Sequence, residues 1–300
     1  MEANSGDSGK SFAQLGVVQA GHALSCLIAD YEKANGPLAY AEQLASEALF
    51  ALGELGREIA PGQRCLEIGA GSGFFTHLLA TAGVNVDAIE PIGPGFAQFR
   101  GPLAFVAGLH RDRVHLINTR IEDLEFENAY DVAVSINVFE HVDDWRTAIR
   151  RTLKALKPGG RAIILCPSYD VPYESHFGIP VIGSKSLTYR LFRSRIQRRE
   201  HELNAVGLWN SLNFISGAEI LRFCREQGFP CSFDRGIVPR MFRRVTEDAG
   251  FRNRRGSLAG WLIAAERAGL PAIMGRLPLR LQPYLKFELS RPQETGGAQA

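Results

Sequence analysis

Three sets of residues have the types and spacing to do chemistry. The first is Glu67-x-Gly69-x-Gly71-x-Gly73, set inside Cys65–Ala80. Glycines at alternate positions let the main chain bend tightly with nothing projecting, so a ligand can touch the backbone. The second is Glu90, which closes the apolar run from Val84 about 20 positions beyond Gly69; a carboxylate at that offset accepts hydrogen bonds from ribose hydroxyls. The third is the Pro-rich segment Ser168–Pro180, where Tyr173, Glu174 and His176 are able to accept or relay a proton. Together they suit a protein that holds a nucleoside-bearing cofactor against an acceptor that must lose a proton.

Positioning them calls for strands that end where the ligand lies. Cys65, Leu66 and Ile68 suit a buried strand, and Phe74–Ala80 resume at helical spacing after the glycine turn. Further strands are expected at Val84–Pro91, Val114–Asn118, Asp131–Asn137 and up to Cys166, with helical stretches at Gly93–Gly108 and Val142–Leu156. Trp145, Ile149, Leu153 and Leu156 give the last of these an apolar face, and His141, a candidate base by its type, is expected to open it as a capping or packing residue. Alternating strands and helices predict an open α/β sheet that binds ligands at the carboxyl edge of its strands. The dinucleotide fingerprint Gly-x-Gly-x-x-Gly would need a glycine at position 74, which is Phe.

With Glu67 ahead of its glycines, the turn resembles motif I of the class I S-adenosylmethionine-dependent methyltransferases. Three further segments are similar to that family in the same order: Thr119–Leu124 after the third strand, Asp131–Val142 with Glu140-His141-Val142 at its end, and Leu156-Lys-Pro-Gly-Gly160 before the fifth strand. The resemblance implies a Rossmann-like seven-stranded sheet, with the last strand between the fifth and sixth, and S-adenosyl-L-methionine as cofactor. It implies Glu67, Gly69, Gly71, Gly73, Glu90, Ile121, Glu122 and Asn137 as cofactor-binding residues, with Arg120 standing where the family often has an acid. His176 and Tyr173 are the candidate catalytic residues. The sulfonium is already an activated methyl donor, so the implied chemistry requires no metal.

Composition bounds the rest. The five cysteines form no Cys-x-x-Cys pair, which suits a reduced interior, and no apolar run approaches the roughly 20 residues of a membrane span. A soluble cytoplasmic protein is expected. Net charge is +2, but residues 1–150 carry 10 Lys+Arg against 20 Asp+Glu, and the remainder 24 against 12. That asymmetry favours a small or lipid-linked anionic acceptor, with peripheral contact at the inner membrane surface as one use of the basic segment Lys185–Arg199 and a solvated lid helix as the other. Nucleic acid is disfavoured, because the arginines fall in separate segments without a recognition module.

The expected organisation is a tail at 1–11, a helical cap at 12–60 with Tyr31 and Tyr40 as possible cofactor contacts, a cofactor-binding core at 61–168 and a substrate lid at 169–214. The rest of the sheet with a basic helical insertion occupies 215–291, before a tail at 292–300. Strands are placed at about Pro230–Val238 and Pro283–Ser290, and Ser216-x-x-Glu219 reads as a capping box. A nicotinamide-dependent oxidoreductase and a silent methyltransferase-like binding domain are the competing readings; neither the acceptor atom nor the oligomeric state is written in the chain.

Overall fold

A computed structural model describes residues 16–91, 97–254, 256 and 258–293. The tail expected at 1–11, the start of the stretch expected at Gly93–Gly108, and 294–300 of the C-terminal tail lie outside the described residues. In chain order the helices are α1 (Val17–Asn35), α2 (Ala41–Leu55), α3 (Phe74–Thr81), α4 (Arg100–Leu109), α5 (Trp145–Ala155), α6 (Lys185–Glu202), α7 (Leu208–Ser211), α8 (Gly217–Gln227), α9 (Ile237–Glu247), α10 (Ala249–Arg254), α11 (Leu258–Arg267) and α12 (Leu270–Met274). The strands are β1 (Arg64–Ile68), β2 (Asn85–Ile89), β3 (Val114–Ile117), β4 (Tyr130–Ile136), β5 (Leu156–Pro167), β6 (Tyr173–Glu174), β7 (Ile179–Pro180), β8 (Cys231–Phe233) and β9 (Tyr284–Ser290).

Seven strands form one sheet in the order β3-β2-β1-β4-β5-β9-β8, and β6 pairs with β7 in a short hairpin. β1 to β5 run parallel, whereas β9 is antiparallel to both β5 and β8. The final strand thus enters between the fifth strand and the edge, as the sequence resemblance implied. Consecutive strand residues face opposite sides: Val132 and Val134 join a core with α1 to α4 and α9, while Ala133 joins a second core with α5 and α8. This two-sided burial is why the central strands read as nearly unbroken apolar runs.

Strand β5 begins at Leu156, so Lys157 to Gly160, expected before the fifth strand, lie within it, and two further boundaries differ from the sequence reading. The strand expected at Pro230–Val238 ends at Phe233, because the Asp234 carboxylate accepts the Gly236 N–H at 2.8 Å and turns the chain. Ile237, Val238, Met241, Phe242 and Val245 then recur at helical spacing and bury the inner face of α9. The other concerns His141. Helix α5 starts at Trp145, and its N-cap is Asp144, whose carboxylate accepts the Arg146 and Thr147 N–H groups. A cap of this kind contributes about 1 kcal/mol, and it leaves His141 in the turn before the helix, available to the cavity described below.

The capping box at α8 forms as read, with Ser216 Oγ accepting the Glu219 N–H at 3.2 Å. Helices α9 to α12 occupy the long connection between β8 and β9, and α9 is tied to α2 by ion pairs. Arg240 holds Glu54 at 2.6 Å, and Arg244 holds Glu47 at 3.0 Å while stacked between Phe50 and Phe251. A third apolar cluster, including Phe177, Ile179, Ile196, Leu208 and Trp209, joins the hairpin to α6 and α7.

Candidate active site

At the carboxyl ends of β1, β2, β4 and β5 lies a cavity of about 950 Å³. Its floor is the glycine turn and the strand ends. Its roof comes from α1 and the α1–α2 connection, where Tyr31 and Tyr40 line it, from α9 to α11, and from the segment Leu203 to Leu208.

The glycine turn is built by close approach. Gly69 has φ +74°, and a Cβ there would fall 2.3 Å from a Val138 methyl carbon, so only glycine lets β1 and the exit of β4 come together. Gly71 donates its N–H to Glu90 Oε2 at 2.9 Å, tying the turn to the end of β2. Gly73 does not line the cavity. It caps α3 in the left-handed region and admits α4, whose Leu103 Cδ1 would lie 3.0 Å from an added Cβ. Glu67 is buried and accepts the Thr76 hydroxyl at 2.6 Å.

Both carboxyls are displaced towards their neutral forms. Burial pushes Glu67 up to about 8 against the Thr76 hydrogen bond, with the charge of Glu90 adding to the rise. Burial likewise pushes Glu90 up to about 7, opposed by the Gly71 N–H. A ligand bringing positive charge and hydroxyl donors would favour ionisation of these acids.

Three more of the sequence-identified residues line the same space. Asn137 stands at the end of β4 with φ +56°, and its Oδ1 accepts the Tyr284 hydroxyl at 2.6 Å. Ile121 is buried in a short 3-10 turn (Ile121–Asp123). Beside it, Glu122 accepts the Asp143 N–H at 2.8 Å and the Asp144 N–H at 3.3 Å, so its side chain holds the loop that leads into α5.

A second group gathers on the far side of Asn137. His176 donates from Nδ1 to Glu174 Oε1 at 2.6 Å, and buried Glu174 also accepts the Tyr169 hydroxyl at 3.1 Å and the Phe177 N–H at 2.8 Å. Burial alone would lower the His176 pKa; the hydrogen bond and charge of Glu174, with the charge of Glu140, outweigh it and hold the imidazole above its ordinary value. His141 meets Ser211 Oγ through Nδ1 at 2.9 Å, and its ring centroid is 5.2 Å from that of His176. Burial pushes His141 well below the usual histidine range. Tyr173 lies at the partly exposed rim of the cavity.

Glu140 belongs to this group, and sequence reasoning assigned it no role. Its side chain is fully buried and lines the cavity, with neither carboxylate oxygen hydrogen-bonded. Burial raises its pKa to about 7, with His176 opposing the shift. The only sequence signal for it is its place in Glu140-His141-Val142.

Among the described residues, the basic side chains of the second half do not supply the cavity with free cations. The α6 arginines Arg190, Arg193, Arg195, Arg198 and Arg199 are exposed and absent from the cavity wall, and Lys185 binds the Asn210 and Leu212 carbonyl oxygens. Tyr189, Phe192 and Ile196 of α6 pack into the third cluster. Arg120 and Arg244 do line the cavity, but Arg120 is paired with Asp123 and Asp143, and Arg244 with Glu47 and Asp248. Acids therefore dominate the wall.

The sheet order and the acid-and-glycine turn define an α/β fold of the class I methyltransferase type. A family model described as "Methyltransferase domain" matches residues 40–234. An uncharacterized protein of Mycobacterium tuberculosis strain H37Rv is 35% identical over 256 residues, 83% of this chain and 86% of its own. A ubiquinone biosynthesis O-methyltransferase of Bradyrhizobium diazoefficiens is 24% identical over 181 residues, 59% of this chain and 62% of that one. Among solved structures, the 4+2 cyclase SpnF aligns with a TM-score of 0.50 at 18% identity, over 96% of this chain and 100% of its own, a likeness of fold alone. The chain belongs to the class I S-adenosylmethionine-dependent methyltransferase family and is an enzyme of that family. Its cofactor is S-adenosyl-L-methionine. No described helix is long and apolar enough to cross a membrane.

Proposed function

We propose that this methyltransferase transfers the methyl group to a hydroxyl oxygen of a small or lipid-linked acceptor held between Asn137 and the His176 group. The observation that carries this is the continuity of one cavity, which joins the motif I turn to a buried imidazole and carboxylate cluster. Glu90 accepts hydrogen bonds from the ribose hydroxyls, and Gly69 and Gly71 let the main chain approach the cofactor. Glu67 draws the amino-acid end towards β1, Ile121 and Glu122 border the adenine, and Asn137 borders the methionine portion. Gly73 serves the seat indirectly by admitting α4.

Methyl transfer needs the acceptor oxygen in line with the S–CH3 bond and stripped of its proton as the new bond forms. His176, oriented by Glu174, promotes loss of that proton, and Tyr173 at the rim orients the acceptor. The expectation of an anionic acceptor loses its basis near the reacting atom, because the wall carries Glu47, Glu67, Glu90, Glu122 and Glu140 and both of its arginines are paired. A neutral, hydroxyl-bearing reacting group fits better.

Incubation with methyl-labelled cofactor and a cell extract, followed by separation into lipid, small-molecule, protein and nucleic-acid fractions, tests this. Label in the lipid or small polar fraction, as base-stable ether, is the expected result. Label confined to protein or nucleic acid would overturn the acceptor class.

A further inference from the structure

The sequence reading assigned no metal, yet the acceptor side of the cavity has the composition of a metal site. The ligand atoms that Glu140, His141 and His176 offer all lie within 4.8 Å of one another. They come from two distant stretches of chain, the exit of β4 and the β6–β7 hairpin, so their convergence is a product of the fold.

Two independent features distinguish this from a chance cluster. Glu140 is fully buried with neither oxygen hydrogen-bonded, a costly state for a carboxylate unless something else in the cavity satisfies it. The imidazole Nε2 of His141 is 3.8 Å from Glu140 Oε1, beyond hydrogen-bonding distance. The second feature is the orientation of the two rings. His176 is held through Nδ1 by Glu174 at 2.6 Å, and His141 meets Ser211 Oγ through Nδ1 at 2.9 Å. A metal-binding histidine is usually fixed in this way, with its outer nitrogen held by a carboxylate or hydroxyl.

We propose that Glu140, His141 and His176 bind one divalent transition-metal cation of the zinc, manganese or iron class, and that this cation takes the acceptor hydroxyl as a further ligand. The inference rests on the methyltransferase reading of the same cavity. Two imidazoles and a carboxylate favour such ions over calcium or magnesium, which prefer oxygen alone, and three protein ligands leave coordination positions open. Ligand bonds of about 2.1 Å at tetrahedral angles place two ligand atoms about 3.4 Å apart, so the three groups draw together by up to about 1.4 Å on binding.

The cation explains how His176 acts on the proton without itself having to carry it away. A metal-bound hydroxyl is more acidic and releases its proton to solvent. The oxygen then forms the O–CH3 bond as the S–CH3 bond breaks, and the sulfonium keeps that electron pair to become a neutral thioether. No oxidant or reductant is consumed. Glu174 is a positioning residue here, acting through His176.

The test is direct binding. The full-length protein, stripped with a chelator, is titrated with Co²⁺ and Zn²⁺ by calorimetry, with the visible absorption of bound Co²⁺ as a second readout, and cofactor affinity is measured on the same samples. One cation per chain is expected. Glu140→Gln and His176→Ala should abolish the Co²⁺ spectrum, and Glu174→Gln should weaken binding about 10- to 100-fold while leaving the spectrum recognisable. Retained cofactor binding by these variants would show that they are folded. Absence of stoichiometric binding by the wild type, or binding unchanged in Glu140→Gln and His176→Ala, would overturn the proposal. If the stripped protein binds cofactor and transfers methyl at full rate, the metal inference fails alone; if the wild type does not bind cofactor, the methyltransferase reading has failed as well.

Discussion

The two ends of the cavity are built differently. At the end we assign to the cofactor, polar side chains already have partners inside the protein: Glu67 with Thr76, Glu90 with the Gly71 N–H, and Asn137 with Tyr284. At the acceptor end Glu140 has none, and the two histidines are held from behind. A seat whose polar atoms are satisfied in advance is ordered before its ligand arrives. A cluster with an unmet buried charge leaves part of its coordination to what binds there.

Mutations can break this contrast. The largest effect is expected from His176→Ala, which should lower turnover about 100-fold or more while cofactor affinity stays within about twofold. An unchanged turnover would remove His176 from the chemistry, and lost cofactor affinity would mean the two ends are not separable. Next is Gly69→Ala. A Cβ placed 2.3 Å from Val138, at a backbone φ of +74°, should cost about 3 kcal/mol of stability and disturb the seat, seen as a lower thermal midpoint and weaker cofactor binding.

A smaller effect is the pH dependence of the cofactor end. Glu67 and Glu90 have pKa values in the folded, empty protein near 8 and 7, above the ordinary 4.5. The native chain therefore holds protons that the unfolded chain releases, and stability should fall as pH rises from about 4.5 to 8. Cofactor affinity should rise over the upper part of that window, because a cationic ligand with hydroxyl donors favours the ionised acids. Chemical denaturation and calorimetry between pH 5 and 9, at fixed ionic strength, would check both slopes; flat profiles would mean the acids are ionised without ligand.

The smallest expected effect sharpens the comparison from outside. Replacing exposed Arg190 and Arg193 on α6 by glutamate should leave KM and kcat within about twofold, since neither residue reaches the cavity wall. A large rise in KM would return α6 to the substrate path.

The cofactor end was legible in the sequence because its signals are short-range. Alternating glycines, an acid at the end of the next strand, and apolar runs of strand or helix period each fall within a few dozen residues of Gly69. Even there, the distinct job of Gly73 was hidden, since Leu103 approaches it only in the folded chain. The strand misplaced at Pro230–Val238 shows the limit of local pattern: β-branched Ile237 and Val238 suit a strand, but the Asp234 turn and the spacing through Val245 commit them to α9. His141 looked like a helix opening because Asp144, three positions on, was not recognised as the cap.

By itself, then, the sequence determined the α/β core of alternating strands and helices and its glycine turn, because periodicity and turn chemistry act between near neighbours, while the place of the final strand came from the family resemblance. Only the tertiary structure decided what the acceptor end contains. Glu140 and His141 leave β4 more than thirty positions before His176, and Ser211 arrives from a third segment. Nothing local records that these side chains meet; the folded chain brings them together and leaves the buried Glu140 carboxylate without a protein hydrogen-bond partner.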